Sequence, residues 1–206
     1  MNVIGLSGSP RKNANTDRLV CAILDGARGA GADTEFLRLA DLDIKGCAGC
    51  LYCRIHETCF IRDDMQSLYQ KLHSADAVVV GSPVYMGQMT SQTKQFTDRL
   101  FPLVNADFTT RLKKRPQLVL AFTQGQPDAA MFRPYMENTR QIFGFLGFAA
   151  AEIIVGGGTR GTQDIMGQDD LLQKARATGT RLASGSLPKR KLRTRSGTPN
   201  GSSSQL

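Results

Sequence analysis

Apolar residues along this chain fall into two alternating rhythms. Asn2–Ser7 is a short apolar run of the kind a buried strand makes, and Thr16–Arg28 then repeats apolar residues at helical spacing through Leu19, Val20, Ile23 and Leu24. Gly29 and Gly31 mark the end of that helix. Thr34–Leu39, with Phe36, Leu37 and Leu39, predicts a second strand. Asp63-Asp64 predicts the cap of a helix carrying Met65, Leu68, Tyr69 and Leu72. Ala75–Gly81, with its Val78-Val79-Val80 core, is the continuous apolar run of a central parallel strand. Gln92–Leu103 predicts a helix, Gln117–Thr123 a fourth strand, Pro134–Leu146 a helix with proline in its first turn, Ala149–Val155 a fifth strand and Asp169–Ala183 a closing helix. Strands alternating with helices at this spacing predict an α/β fold with a parallel sheet covered on both faces.

The chain has 206 residues, of which 41% are hydrophobic, enough for one domain with a core. The opening residues lack a basic start and a long apolar stretch, so they do not read as a signal peptide, and no apolar run reaches the length of a membrane span. A cytoplasmic location is the resulting expectation. The net charge of +8 is largely local: Lys189, Arg190, Lys191, Arg193 and Arg195 supply five charges, leaving +3 for the rest. The domain reading is therefore 1–185 as one unit and 186–206 as a basic tail with nothing to bury, expected to be disordered. A solvated tail is favoured over a nucleic-acid site.

Four of the five cysteines, Cys47, Cys50, Cys53 and Cys59, lie within thirteen residues in the pattern C-x2-C-x2-C-x5-C. Thiols three residues apart on a tight turn sit about 5–6 Å from each other, by analogy with helical spacing. Three in that rhythm with a nearby fourth can surround an iron–sulfur cluster, and bacterial ferredoxins use a related spacing. Structural zinc usually joins two pairs across a long loop, disulfides need an oxidising compartment, and free thiols remain a third alternative. Cys21 stands apart in a helical stretch and reads as a small buried hydrophobe. His56 reads as loop and His73 as a helix-end or surface residue.

The first strand runs directly into Ser7-Gly8-Ser9-Pro10-Arg11-Lys12-Asn13-Ala14-Asn15-Thr16 and then into a helix. Small residues let backbone N–H groups approach an anion. Ser7, Ser9, Asn15 and Thr16 can donate to it, and the helix N-terminus adds partial positive charge. The segment is neither a Walker loop nor G-x-G-x-x-G.

These residues resemble the phosphate loop of the NADPH-dependent FMN reductase family. The likeness continues through Gly81-Ser82-Pro83-Val84-Tyr85-Met86-Gly87 and Ser91-Gln92-x-Lys94-x-Phe96-x-Asp98-Arg99. The cysteine segment followed by Asp63-Asp64-Met65 is similar to the iron–sulfur flavoprotein branch, and the resemblance covers roughly residues 1–158. It implies a flavodoxin-like, doubly wound, five-stranded parallel sheet of order 2-1-3-4-5. It implies FMN with its phosphate on Ser7, Ser9, Pro10, Arg11, Asn15 and Thr16, and with its ring along Pro83, Val84, Tyr85, Met86 and Gly87. Thr123, Gln124 and Gly125 would reach the same edge. Relatives often carry an aromatic residue where this chain has Met86. The resemblance further implies a 4Fe-4S cluster on Cys47, Cys50, Cys53 and Cys59, electron transfer as the activity, and a small redox partner or NAD(P)H as donor. A homodimer or homotetramer is implied too. A cluster-free NAD(P)H-dependent FMN or quinone reductase, and a flavin-binding carrier or regulator, are the alternatives.

Overall fold

A computed structural model of the chain describes residues 1–187. The expected basic tail lies almost wholly outside the described residues. The parallel strands are β1 (Asn2–Ser7), β2 (Asp33–Arg38), β3 (Ala77–Tyr85), β5 (Gln117–Thr123) and β6 (Ala149–Gly156), in the order β2-β1-β3-β5-β6. Counting only these, the order is the expected 2-1-3-4-5. A further strand, β4 (Gln88–Met89), folds back antiparallel on the end of β3.

The sheet is buried on both faces because each central strand sends alternate side chains to opposite sides. Ile4, Leu6, Val78, Val80, Leu118, Leu120 and Phe122 meet one helical layer. That layer is α3 (Met65–Ser74), α4 (Ser91–Asp98) and α5 (Arg133–Phe145), through Leu68, Leu72, Phe96, Met136 and Phe143. Val3, Ala77, Val79, Val119 and Ala121 meet the other, α1 (Asn15–Gly29) and α6 (Asp169–Ala183). These two helices pack backbone to backbone. A Cβ on Gly26 would lie 1.9 Å from the carbonyl oxygen of Arg176, and one on Gly179 would lie 1.8 Å from that of Ile23.

Three expectations need correction. The helix expected over Gln92–Leu103 ends at Asp98 and gives way to a separate 3-10 turn at Phe101–Leu103. Pro102 contributes to this, since it has no N–H to donate to the Asp98 carbonyl and so cannot continue the α-helical ladder. The Asp63-Asp64 pair does not cap α3 as a pair. Asp64 occupies the cap position without a side-chain cap bond, whereas Asp63 accepts the Met65 N–H at 3.1 Å and is otherwise committed to an arginine. Cys21 is half-buried rather than buried. Among the described residues no helix is long and apolar enough to cross a membrane.

Candidate functional site

β1 and β3 are adjacent in the sheet, but the chain leaves them toward opposite sides. A crevice opens at such a switch point, beyond the carboxyl ends of the strands. Here it is lined by Ser9, Arg11, Asn15 and Thr16 from the loop after β1 and by Pro83, Val84 and Tyr85 at the end of β3. Thr123, Gln124 and Gly125 after β5 and Thr159 and Gly161 after β6 complete it. Of the residues expected from sequence, Ser7, Pro10, Met86 and Gly87 do not line this cleft.

Ser7 is fully buried and its hydroxyl donates to Asp17 Oδ1 at 2.5 Å. The other oxygen of Asp17 accepts the Asn13 N–H at 2.8 Å and Arg38 Nε at 3.1 Å. Arg38 also donates to the Ser9 carbonyl at 3.0 Å and to Asp41. Ser7 therefore shapes the loop from behind. The Asp17–Arg38 pair, with side chains only 4% and 9% exposed, joins α1 to the end of β2 under the loop. Sequence reading missed this pair.

Ser9 Oγ donates to the Arg11 carbonyl at 3.0 Å and accepts the Arg11 N–H at 3.2 Å. Thr16 and Thr123 share a hydroxyl–hydroxyl bond of 2.6 Å across the floor. Asn15 donates to the Gly161 carbonyl at 2.7 Å and accepts the Ile165 N–H at 3.1 Å, which draws in the loop after β6. The position before α1 is Ala14, and no side chain caps the helix. Its first-turn N–H groups lack intrahelical acceptors, so the helix end presents donors toward an anion. Gln124, 2% exposed, donates from Nε2 to the carbonyls of Gln126 and Asp128, and its Oε1 is buried without a partner. The cleft thus offers unpaired donors at one end and a buried acceptor on its wall, a set that fits a phosphate joined to a polar heterocycle.

A buried hydroxyl cluster holds β3 against the phosphate loop. Thr90 Oγ1 donates to the Gly8 carbonyl at 2.7 Å, the Thr90 N–H donates to Ser82 Oγ at 3.0 Å, and Thr93 Oγ1 reaches Ser82 Oγ at 3.1 Å. A Cβ on Gly8 would lie 1.8 Å from Thr93 Oγ1, so only glycine admits this approach. Beyond it, Met86 and Gly87 form the two-residue turn between β3 and β4, both at positive φ (47° and 77°). Such a turn favours Asn-Gly. Met86 is fully exposed at its tip.

The cysteine segment lies on the α3/α4 side. Cys47, Cys50, Cys53 and Cys59 all line one pocket, walled by Leu51, Phe60, Ile61, Phe101 and Pro102. Cys47 and Cys50 are exposed, Cys53 is half-buried and Cys59 is buried. Gly49 and Leu51 both adopt left-handed backbone (φ 64° and 58°), and Leu51 leads into the one-turn helix α2 (Tyr52–Ile55). Left-handed geometry at a leucine is strained, and such strain persists where the surroundings over-determine it. Arg54 and Arg111 pin this stretch. Arg54 donates to the carbonyls of Asn105 and Ala106, and Arg111 to that of Cys53. Burial pushes the Cys53 thiol above its ordinary pKa, and the neighbouring Cys59, Cys47 and Cys50 add to this. Among the described residues no three Cys, His, Asp or Glu side chains converge tightly enough to hold a single metal ion. A pocket ringed by four thiols suits a larger cuboidal group.

The base of the segment is closed by a buried pair, Arg99 and Asp63, with side chains 1% and 0% exposed. Arg99 Nη1 donates to Asp63 Oδ2 and to the Lys45 carbonyl, both at 2.6 Å, and Nη2 donates to Asp63 Oδ1 at 3.0 Å and to the Ile61 carbonyl at 3.4 Å. Asp63 also accepts the Lys45 N–H at 3.0 Å. Burial opposes both charges, yet the hydrogen bonds between them outweigh it and hold Asp63 below and Arg99 above their ordinary values.

The sequence profile of the NADPH-dependent FMN reductase family matches residues 1–159. This chain belongs to that family. It is 43% identical over 103 residues to an iron–sulfur flavoprotein of Methanocaldococcus jannaschii, a match covering 50% of this chain and 53% of that protein. It is 30% identical over 185 residues to an iron–sulfur flavoprotein of Archaeoglobus fulgidus, covering 89% of this chain and 79% of that one. The matches span little more than half the length of several of these relatives. The fold is shared with an NAD(P)H:quinone oxidoreductase from Methanothermobacter marburgensis, with a TM-score of 0.70 at 17% identity over 88% of this chain and 96% of that one.

Proposed function

We propose that this protein is an FMN-dependent oxidoreductase that also carries one 4Fe-4S cluster on Cys47, Cys50, Cys53 and Cys59, and that it passes electrons between a small redox partner or a nicotinamide donor and an acceptor. One observation carries the cluster: all four thiols border a single pocket whose other walls are largely apolar, with Asp98 and Arg99 as its charged members. When bound, FMN would supply two-electron and one-electron chemistry and the cluster one-electron chemistry. The chain's own residues bind and orient. The uncapped N-terminus of α1, with Arg11, would take the phosphate, Pro83–Tyr85 would flank the ring, and the free Oε1 of Gln124 would accept a hydrogen bond from the cofactor. Among the described residues that line the cleft there is no Asp, Glu, His, Cys or Lys.

No residue lines both the cofactor cleft and the cysteine pocket among the described residues. The β3–β4 hairpin stands between them: Tyr85 faces the cleft, while Gln88 and Met89 line a neighbouring groove that includes Cys47. Leu51, Ile55, Phe60, Phe108 and Phe145 are large apolar side chains left exposed on this side, which supports a homodimer or homotetramer.

The test is metal and flavin analysis of protein made anaerobically with ample iron. About four iron and four sulfide per chain are expected, as in a 4Fe-4S cluster, together with bound FMN. FMN without iron would replace this reading by a cluster-free NAD(P)H-dependent reductase. The exposure of Cys47 and Cys50 favours that second reading.

A further inference from the structure

Arg99 follows the last turn of α4 and is 1% exposed. A guanidinium has five N–H donors and no acceptor. Four of those on Arg99 are engaged, by Asp63 and by the carbonyls of Lys45 and Ile61. The fifth, on Nε, is buried and has no partner among the described residues. Leaving a charged donor unpaired in the interior is costly, so each such group calls for an explanation.

The pocket beside it supplies one. Arg99 lines the cysteine pocket and Asp63 does not. The ion pair is therefore oriented, with its cation toward the thiols and its carboxylate behind. Cys59, the buried member of the four, lines the same pocket as Arg99. The other charged residue on the pocket wall, Asp98, is paired with Lys94 at 2.5 Å. Apolar neighbours keep the local dielectric low, so a fixed charge here acts strongly.

We infer that Arg99 is a positioning and tuning residue for the cluster, donating its free Nε–H to the sulfur at the Cys59 corner. This rests on the cluster reading above. Reduction adds an electron to the cluster, and a nearby cation stabilises the more negative state. Arg99 thus raises the cluster's reduction potential, while two of its other donors hold the two ends of the cysteine segment and two hold Asp63.

Two variants of the anaerobically prepared holoprotein test this. Arg99→Gln combined with Asp63→Asn removes both charges and leaves no orphaned carboxylate. Arg99→Lys keeps the charge and removes the fork. The cluster is titrated with dithionite, a one-electron donor, and followed by electron paramagnetic resonance. Iron release to a chelator is timed in parallel. In the paired variant the reduced-to-oxidised ratio at a fixed potential should fall at least tenfold, about 59 mV for a one-electron couple. Iron release should quicken, and the flavin content should stay the same. Arg99→Lys should shift the ratio less. A paired variant that folds with the wild-type potential and iron retention would overturn the inference and leave Arg99 as an anchor only. Should neither variant fold, wild-type protein labelled with 15N-arginine decides by pulsed resonance of the reduced cluster. A 15N coupling supports the bond and its absence overturns it. Wild-type protein that takes up no iron or sulfide ends the cluster reading itself, an outcome distinct from an intact cluster without arginine coupling.

Discussion

The phosphate loop and the cysteine segment follow neighbouring strands, β1 and β2, yet they are built in opposite ways. In the phosphate loop Ser7, Ser9, Asn15, Thr16 and Asp17 are buried and hydrogen-bonded, to one another's neighbours within the loop or to Gly161 and Thr123 beyond it, so the loop's shape exists before any ligand arrives. Such a site loses little entropy on binding. In the cysteine segment two of four thiols face solvent, two residues hold left-handed backbone, and order comes from Arg54, Arg111 and the Arg99–Asp63 pair around it. The cluster proposed above would couple its own binding to ordering of this segment. A preorganised loop and a loosely ordered one therefore follow neighbouring strands.

The largest effect that would sharpen this contrast is expected from Cys50→Ala. The chain should lose essentially all its iron and the accompanying visible absorbance while keeping its flavin. Iron and sulfide analysis beside the flavin spectrum reads this directly, and retention of a full cluster would remove Cys50 from the ligand set.

Next comes Asp17→Ala. It strips Ser7, the Asn13 N–H and Arg38 of their common acceptor and leaves Arg38 with the more exposed Asp41 as its carboxylate partner. Breaking a buried pair from one side costs up to about 3–5 kcal/mol. Urea unfolding should show a loss of that order along with weaker FMN binding, and unchanged stability would mean that the loop's shape does not depend on the pair.

Ser9→Ala with Thr16→Ala should have a smaller effect. The structure engages both hydroxyls internally, with Arg11 and Thr123, so their removal loosens the loop as well as subtracting donors. Hydrogen bonds to charged groups contribute about 1.5–3 kcal/mol, so FMN affinity measured by fluorescence titration should fall about tenfold or more. Full affinity in the double variant would leave the backbone donors of α1 to hold the phosphate alone.

The smallest effect, and the one of opposite sign, is expected from Met86→Asn. A left-handed conformation costs a residue with a Cβ roughly 1–2 kcal/mol, and asparagine tolerates it better. The melting temperature should rise by about 2 °C, the lower end of what 1 kcal/mol gives in a chain of this size. A lower melting temperature would show that the exposed methionine packs against something in the assembled protein.

Much of the frame was legible because the signals were local. The valine run of β3 and the helical spacing of α1 depend on neighbours within one element, and the five parallel strands follow in the expected order. β4 left no trace, since two residues, Gln88 and Met89, are too short to show a period. The phosphate loop can be located by its small and polar residues, but the acceptor of the Ser7 hydroxyl, Asp17, lies in the first turn of α1, and Arg38, which joins it, closes another element. Asp63 looked like a cap because aspartate before an apolar helix usually is one. Its partner is 36 residues further on, at a distance no periodicity reports.

The clasp formed by Arg99 also bears on ancestry. Its two terminal nitrogens touch the carbonyls of Lys45 and Ile61, so the start and finish of the cysteine segment are gathered at one side chain. Residues 46–60 therefore form a loop tied at its base, of which Cys59 reaches the core, and among the described residues none of them lines the cleft. Shortening the exposed part of that loop would leave the cleft's lining in place. In the cluster reading proposed above, lengthening or respacing this loop would change the redox equipment while the cleft kept its lining, and a single insertion or deletion would suffice to add or remove the second centre.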